Sequence, residues 1–351
     1  MQYKIYREKD NGMDLRTIEY ETEYKCKTPV VFIFFNRPQT MVYVLEQIRK
    51  AKPDRLYLVA DGPRHVDEKF KTEVCGCIAK EMVDWECQVV QVYAEKNMGC
   101  RDRVASGISY VLQREEKAII LEDDCVPNIS FFRFMDEMLE RYKDEDRVFL
   151  VSGRNNHGKF NEKNYDYYFT HHGPNWGWGT WARSWKLFDI NMTHWPEIRD
   201  KNGGHIREWM GWKEWICKKK ANEDTYRGKI NTWDYQMIFS LQYHRKICIV
   251  PSVNLVNNGI GDDATHAVGA DEIAAVPNYE LKFPLRHPDK VVVYDEYDKA
   301  YSKQCFEKGF WKFCFFQIVK KILNVLTGKE YGRKDFPLIF QGKTFLRSKQ
   351  I

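Results

Sequence analysis

The chain has 351 residues, 43% of them apolar and 30% charged, and these are the proportions of an ordinary globular protein, not of a disordered or fibrous one. A formal net charge of +5 is too small an excess to indicate nucleic-acid binding. The excess suits an anionic partner such as a nucleotide diphosphate or a lipid surface.

The cysteines and the first residues bear on the cellular compartment. The 10 cysteines are scattered and form no paired CxxC motifs, which argues against a structural zinc site. Residues 1–27 are polar and charged throughout, so no secretory signal is visible, and no apolar run reaches transmembrane length. We therefore expect reduced thiols and a cytoplasmic location.

The first half of the chain alternates predicted strands with predicted helices. Residues 1–28 give no clear chemistry and are treated as an N-terminal extension. After them, buried apolar runs and amphipathic stretches follow at the spacing of a parallel, doubly wound sheet. The predicted strands are 29–35, 55–60, 88–93 and 118–121, and the predicted helices are 40–50, 68–82 and 101–114.

Each of these four strands ends in a loop with polar or charged side chains. Because the carboxyl ends of parallel strands share one edge of the sheet, the loops should converge on one crevice and form a nucleotide site. The side chains at these loops are Asn36 and Arg37, Asp61 and Arg64, Asn97 with Gly99, and Glu122, Asp123 and Asp124. Guanidinium groups bind phosphate oxygens in pairs, so four residues are candidates for a diphosphate, with surface ion pairs as the alternative: Arg37, Arg64, Arg101 and Arg103.

Three consecutive carboxylates, Glu122, Asp123 and Asp124, follow the fourth strand directly. They repel one another and cannot all be desolvated cheaply, so a positive group should lie beside them. A hard divalent cation that takes oxygen ligands, Mn²⁺ or Mg²⁺, is the natural candidate. The alternative is a solvated acidic turn closed by Pro127.

The next predicted elements are a helix over 130–142 and a strand over 148–153. Two interpretations apply to the tryptophan-rich run at 176–181: a carbohydrate platform, with Trp178 as a donor-binding candidate, or a rigid buried corner of the core. Residues 183–229 are predicted to be helical and to cover the acceptor side of the cleft. Trp212 and Trp215 in that segment are expected to pack rather than to bind.

A second chemical centre is predicted at 231–236. Thr232 is expected to cap a helix whose first turn carries Asp234, where the helix N-terminus stabilises the carboxylate as an anion. An aspartate in that place can act as a general base toward an acceptor hydroxyl. The alternative is that Asp234 lies at the start of the helix without a catalytic role.

The remaining residues add a strand, a short polar motif and an apolar helix. A late strand is predicted over 247–251, and the motif at 261–266 ends in His266. In that motif, Asp262 and Asp263 are either a second metal site or a solvated turn. A helix over 309–326 combines aromatic and aliphatic residues with three lysines, so it could lie in a membrane interface or pack against the domain.

An ordered set of motifs resembles the nucleotide-sugar domain of GT-A glycosyltransferases: Asn36-Arg37-Pro38 after a strand, Asp61-Gly62-Pro63-Arg64, Asn97 and Gly99 with Arg103 and Gly107, and Leu121-Glu122-Asp123-Asp124. The set is similar in particular to bacterial sugar transferases related to N-acetylglucosaminyltransferase I, over Pro29 to at least His266. The resemblance implies that Asp61 contacts the nucleobase, Asp123 the ribose and Asp124 a Mn²⁺ that bridges the diphosphate. It also implies a further metal or diphosphate ligand at His266, and a base in a place corresponding to Asp234.

The residues and the resemblance together predict a metal-dependent, inverting glycosyltransferase. The expected donor is a nucleoside-diphosphate sugar, in particular a UDP-sugar, and the acceptor is a hydroxyl of a glycan or lipid-linked sugar. The transferred group would be a hexosyl or N-acetylhexosaminyl unit, and the pathway bacterial surface polysaccharide synthesis. The alternatives are a sugar-1-phosphate nucleotidyltransferase and a non-catalytic carbohydrate- or membrane-binding protein.

The expected fold is α/β and GT-A-like, with a mainly parallel, doubly wound (Rossmann-like) sheet flanked by helices. Its catalytic domain would cover 29–270, divided into a nucleotide-sugar half (29–127) and an acceptor half (128–270). The C-terminal region, 271–351, would contain the helix over 309–326, which either contacts the inner face of the cell membrane or packs on the domain.

Overall fold

The computed structural model describes residues 24–258 and 276–328. Its first half is the predicted alternation of strands and helices, and the strand bounds at Arg55–Ala60 and Gln88–Tyr93 match the prediction. The elements are strands β1 (Val30–Phe34), β2 (Arg55–Ala60), β3 (Gln88–Tyr93) and β4 (Lys117–Glu122), and helices α1 (Pro38–Ala51), α2 (Val66–Glu81) and α3 (Gly99–Leu112).

The four strands are parallel, in the order β3-β2-β1-β4. Every residue of β1 is buried, because successive side chains point to opposite faces of a sheet and helices cover both faces here. Val30 and Phe32 share a core cluster with α1 and α2, whereas Val31 shares another cluster with α3. The doubly wound arrangement is therefore confirmed.

The second half extends the same sheet and adds a helical layer. Its strands are β5 (Cys125–Pro127), β6 (Val148–Ser152), β7 (Tyr167–Thr170), β8 (Trp178–Trp181), β9 (Ile247–Pro251) and β10 (Val256–Asn258). Its helices are α4 (Ile129–Arg141), α5 (Ala182–Trp185), α6 (Trp195–Asp200), α7 (Trp212–Tyr226) and α8 (Asp234–Tyr243).

The main sheet has eight strands in the order β3-β2-β1-β4-β8-β6-β9-β7, and β10 pairs with β5 in a separate two-stranded ribbon. In the main sheet, β8 runs antiparallel to both of its neighbours, and β7 runs antiparallel to β9. The other pairings are parallel. The central sheet is thus mixed but mostly parallel, with helices on both faces, as the α/β prediction requires.

Strand β8 is the tryptophan-rich run, for which the sequence predicts a platform or a buried corner but no strand. Trp178 and Trp181 are both buried. Gly179 lets helix α4 approach closely, since a Cβ at that position would lie 2.8 Å from Leu139 and 3.3 Å from the carbonyl oxygen of Ala118. These contacts place Trp178 and Trp181 inside the core, as the buried-corner interpretation requires.

The helical layer has its own apolar cluster, which contains Trp195, Trp215 and Phe239 together with Met192, Ile198, Ile206 and Met210. Trp195 and Trp215 are buried, so the packing role predicted for Trp215 is confirmed. Trp212 packs only in part, because its ring contacts Phe310, later in the chain, while its side chain stays 48% exposed at the protein surface.

The last described residues form helix α9 (Asp295–Ser302), a π-helical turn (Lys303–Glu307) and helix α10 (Phe310–Thr327). The backbone N–H of Tyr294, just before α9, donates a 2.9 Å hydrogen bond to the carbonyl of Phe169 in β7. Helix α10 packs on α7 through a small cluster that includes Cys217, Phe310 and Phe313. The predicted helix over 309–326 is confirmed as a helix.

Candidate active site

The carboxyl ends of β1 and β4 bring Arg37, Asp123 and Asp124 together. The Nη1 atom of Arg37 lies 2.9 Å from Oδ2 of Asp124 and 3.1 Å from Oδ1 of Asp123, and both carboxylates are buried. Asp123 also accepts a 3.2 Å hydrogen bond from the backbone N–H of Phe35. Burial by itself would lower the pKa of Arg37, but the two carboxylates raise it above its ordinary value. Arg37 therefore stays charged and supplies positive charge to the acidic triplet.

Asp61 joins the loops that follow β2 and β3. Its Oδ1 accepts hydrogen bonds from the backbone N–H groups of Gly62 and Met98, both at 2.9 Å. Its Oδ2 accepts from the side chain of Asn97 and the backbone N–H of Gly99, both at 3.0 Å. These bonds come from both loops, so Asp61 fixes the two loops against each other. Burial raises the pKa of Asp61, and the backbone donors act in the opposite direction.

Asn36 and Arg64 meet at Glu68 of α2, a residue that the sequence does not single out. The side chain of Asn36 donates a 2.9 Å hydrogen bond to Glu68, and Nε of Arg64 lies 3.0 Å from both of its carboxylate oxygens. The Arg64 hydrogen bonds lower the pKa of Glu68 to about 2, against burial. An Arg four residues before a Glu is a recognisable signal for an ion pair, but nothing in the sequence connects it to Asn36.

The other two candidate arginines have protein partners of their own. Arg103 is buried in α3 and donates to the carbonyl oxygen of Val92, and burial lowers its pKa. Nη2 of Arg101 is 3.2 Å from the side-chain oxygen of Asn191. The backbone N–H of Arg101 donates to Oδ1 of Asn231, 3.1 Å away, so the start of α3 is joined to the segment that precedes α8.

Asp234 is the first residue of α8, so its predicted place in the first helical turn is confirmed. The predicted capping by Thr232 is wrong: Trp233 is the N-cap residue, and no side chain caps the helix. The Thr232 hydroxyl instead donates to Oδ1 of Asp234, which also accepts a 2.9 Å hydrogen bond from the backbone N–H of Tyr235. A short polar side chain bonds to the nearest acceptor, which here is the carboxylate two residues away and not the helix backbone.

A cavity of about 280 Å³ brings the two predicted centres together. Glu122, at the end of β4, and Asp234 both line it. Three residues of α8 on one helical face, Asp234, Ile238 and Gln242, line the cavity along a length of about 12 Å at 1.5 Å per residue. The cavity therefore extends from Glu122 along the helical layer, with room for a sugar-sized molecule, while Asp123 and Asp124 do not line it.

Trp178 does not line this cavity. Its buried ring stacks on Trp233, with centroids 5.6 Å apart and planes 19° apart, and Trp233 forms part of the cavity wall immediately before Asp234. Within the same run, Trp176 does line the cavity, and the Arg154 guanidinium lies 4.9 Å from its ring centroid. The ring available to a ligand is therefore Trp176, while Trp178 supports the wall from behind.

Another part of the cavity is lined by a group of side chains that the sequence does not predict: His171, His172, Lys218 and Tyr301. His172 is buried and stacks on Tyr301 at 4.3 Å, and Nζ of Lys218 lies 2.6 Å from the buried carboxylate of Glu214. His171 lies 2.6 Å from Asp298. These residues come from the end of β7, from α7 and from α9, and only the tertiary fold brings them together.

Only some of the residues that are predicted to hold a divalent cation are among those that the structure describes. Within 24–258 and 276–328, no three His, Cys, Asp or Glu side chains are grouped so as to hold a metal ion, and His266 lies outside the described residues, as do Asp262 and Asp263. The buried carboxylate of Asp124 is an oxygen donor of the kind that hard cations prefer. One or two protein carboxylates suffice when substrate phosphates and water complete the coordination. The donor chemistry therefore fits Mn²⁺ or Mg²⁺ bound together with a diphosphate.

No protein-family model matches the sequence, and no curated protein matches it. Several solved structures have a similar fold. One is the galactosyltransferase LgtC in complex with donor and acceptor sugar analogues, at 11% identity, covering 61% of this chain and 70% of that chain, with a TM-score of 0.33. Another is the mannosyltransferase PcManGT from Pyrobaculum calidifontis in complex with GDP-Man and Mn²⁺, at 12% identity, covering 69% and 59%, with a TM-score of 0.39.

A UDP-glucose pyrophosphorylase complexed with UDP-glucose is similar at 13% identity, covering 65% of this chain and 91% of that chain, with a TM-score of 0.31. Glycosyltransferases and a nucleotidyltransferase are thus both among the similar structures.

Proposed function

We propose that the protein transfers a sugar from a nucleoside-diphosphate sugar to a hydroxyl of an acceptor. One observation carries the proposal: Glu122, in the acidic triplet at the carboxyl end of a parallel strand, and Asp234, at the start of a helix, line the same cavity. Nucleotides bind at that edge of open α/β sheets, and direct sugar transfer needs a base within reach of the same place.

In the proposed mechanism Asp234 is the general base. Its carboxylate takes the proton of the acceptor hydroxyl while the acceptor oxygen forms a bond to the anomeric carbon. The bond from that carbon to the diphosphate oxygen breaks, and its electron pair leaves with the nucleoside diphosphate. Attack from the face opposite the leaving group inverts the configuration. The hydrogen bonds from Thr232 and the Tyr235 N–H hold Oδ1 of Asp234 in place and leave Oδ2 for the incoming proton.

On the donor side, Asp124 and His266 are the proposed metal-binding residues, for Mn²⁺ or Mg²⁺. When bound, the cation would neutralise negative charge on the leaving diphosphate. Asp123 is proposed to contact the ribose and Asp61 the nucleobase. The other proposed donor-site residues are Asn36, Arg37, Arg64, Asn97, Gly99, Arg103 and Glu122.

The donor is proposed to be a UDP-sugar, and the acceptor a glycan or lipid-linked sugar in bacterial surface polysaccharide synthesis, on the cytoplasmic side of the membrane. The relation to N-acetylglucosaminyltransferase I is part of this proposal. A sugar-1-phosphate nucleotidyltransferase would need a glycine-rich phosphate loop with a lysine after the first strand. Here the connection from β1 to α1 is Phe35-Asn36-Arg37, which has neither.

Nucleotide binding tests the proposal most directly. Isothermal titration with uridine, guanosine, adenosine and thymidine diphosphates, each with and without Mn²⁺, should show binding of one nucleotide that strengthens with the metal. If no nucleotide binds under any of these conditions, the proposed function is wrong.

Replacing the base tests the mechanism. Asp234→Asn should keep donor affinity but lower kcat by about 10²-fold or more, because the amide cannot accept the proton. Asp200→Asn is the matched control, since Asp200 is an exposed aspartate at the end of α6 that does not line the cavity. A D234N variant that turns over as fast as D200N would rule out the assignment.

A further inference from the structure

Among the residues that the structure describes, helix α10 is attached to the rest of the protein along one side. Phe310, Phe313 and Phe316 are its buried residues, and they lie within about two turns at its start. From Gln317 to Thr327, every residue of the described helix is partly or fully exposed. The second half of α10 therefore extends along the surface instead of entering the core.

The outward side of α10 is a continuous apolar stripe. Five residues spaced three and four apart form it, and at about 100° per residue they lie within about 80° of one another. We call them the α10 stripe: Trp311, Phe315, Ile318, Ile322 and Val325, with exposed fractions of 70%, 57%, 59%, 52% and 76%. A run of large apolar side chains this exposed is unusual on a protein that does not bind anything there.

At the start of α10, the exposed apolar surface continues from the stripe onto α7. Trp212 is 48% exposed and its ring centroid is 6.2 Å from that of Trp311. Ile216, one turn further along α7, is 40% exposed. Two neighbouring tryptophans at the edge of an apolar surface are typical of side chains that lie at the boundary between lipid and water.

The charged residues of α10 indicate the kind of surface that the stripe would fit. No acidic residue occurs from Phe310 to Thr327, and three lysines do. By the same helical geometry, Lys312 and Lys321 flank the stripe on its two edges, whereas Lys320 lies on the opposite side of the helix. Both edge lysines are exposed. An apolar face bordered by cations is complementary to the acyl chains and anionic headgroups of a bilayer surface.

We propose that the α10 stripe binds the surface of an anionic lipid bilayer, with α10 lying in the plane of the interface. None of the described helices is long and apolar enough to cross a membrane. The cluster that anchors α10 contains Phe306, which also lines the cavity, so lipid binding would hold that wall of the cavity next to the bilayer. The lipid contact does not depend on the proposed function. The idea that the bilayer presents a lipid-linked acceptor to the cavity does rest on the proposed function.

The test is co-sedimentation of the full chain with phosphatidylcholine vesicles that contain or lack phosphatidylglycerol. The wild type should bind the anionic vesicles, and the triple variant Phe315→Ser/Ile318→Ser/Ile322→Ser should lose about tenfold or more in partitioning. The matched control is Val66→Ser/Phe70→Ser on α2, whose side chains are 80% and 74% exposed and lie on a different helix. This control should bind as the wild type does.

The lysines allow a sharper comparison. Lys321→Glu, at the edge of the stripe, should weaken binding to anionic vesicles about tenfold, since each cation near such a surface contributes about fivefold and the new charge is repelled. Lys320→Glu, one residue away on the opposite side of α10, should have a much smaller effect. Equal effects of the two substitutions would overturn the proposed orientation.

Three results would overturn the lipid proposal. The first is that the wild type fails to sediment with either kind of vesicle. The second is a dimer, measured by light scattering, that the triple variant abolishes, which would make the stripe an interface between two copies. The third is vesicle binding that appears only after residues 329–351 are deleted, which would make that segment the occupant. Nucleotide titration of the same variants separates this outcome from a failure of the proposed function, since their nucleotide binding should not change.

Discussion

Arg37 supplies positive charge at the place where the sequence predicts a metal cation. Its guanidinium bridges the buried carboxylates of Asp123 and Asp124, one of which is the proposed metal ligand. A diphosphate and a divalent cation entering together would offer Arg37 phosphate oxygens and offer Asp124 the cation. Arg37 can thus pair with the two carboxylates when no donor is bound and with the diphosphate when a donor is bound.

Replacing Arg37 by alanine should lower the free energy of unfolding by about 3 kcal/mol, because two buried carboxylates lose a shared cation. Mn²⁺ should restore part of the loss if Asp124 binds it, since a ligand of the folded state stabilises that state. Urea titrations with and without Mn²⁺ measure both effects. Arg49→Ala breaks an exposed pair with Asp84 and should cost less than about 1 kcal/mol, with no response to Mn²⁺. An R37A variant as stable as R49A would contradict the role of Arg37.

The site residues show what the sequence can and cannot indicate. The polar ends of β1, β2, β3 and β4 are visible in it, because each follows a buried run and the parallel topology places them together. The pairs Arg64–Glu68 and Glu214–Lys218 are each four residues apart and can be predicted as ion pairs. Their place at the site cannot be predicted, because their other partners, Asn36 and His172, belong to other parts of the chain. The donors that surround Asp61 are mainly backbone N–H groups, which cannot be predicted from the residue types.

Among the elements, β2, β3 and β9 are predicted with their true bounds and β1, β4 and β6 to within one residue at each end, whereas β5, β7, β8 and β10 are missed. Gly177 and Gly179 weaken strand propensity in the run from 176 to 181, and the side chains around them suit a turn equally well. What makes this run a strand is its position between β4 and β6, which only the assembled sheet defines. The glycine that obscures the strand is also the residue that permits its contact with α4.

Gly179→Ala should lower the free energy of unfolding by about 1–3 kcal/mol, because the added methyl group would lie 2.8 Å from Leu139 and α4 would have to shift. Gly211→Ala is the matched control: nothing lies within 4 Å of the position that its added methyl group would take, and its backbone φ of −66° suits alanine. Thermal unfolding of the two variants gives the comparison. Equal melting temperatures for both would show that α4 and β8 are not in close contact.

For the molecule as a whole, the buried charged groups near the cavity predict how stability depends on pH. Burial lowers the pKa of His172, so the unfolded chain takes up that proton first as the pH falls below the ordinary histidine value of about 6.5. For Glu214 and Asp298, burial acts to raise the pKa, but Lys218 and His171 lower it below the ordinary value. The unfolded carboxylates therefore also bind protons before the folded ones do.

All three shifts have the same sign, so the free energy of unfolding should fall as the pH falls. The histidine contribution should be lost below about pH 6.5 and the carboxylate contribution below about pH 4. Urea titrations at several pH values measure the decline. His172→Gln should flatten the upper part of the curve, whereas the exposed His65→Gln should leave it unchanged. A stability that is constant between about pH 7 and pH 5 would contradict the burial of a neutral His172.

The position of β8 also has a consequence for synthesis on the ribosome. Strands β1 to β4 and helices α1 to α3 can assemble early, but the outer edge of β4 has its backbone unpaired until β8 emerges. At about 5–20 residues per second, that interval lasts several seconds. An unpaired apolar edge is a site of aggregation, so the nascent protein should depend on chaperones during this window and much less after Trp181 has been made.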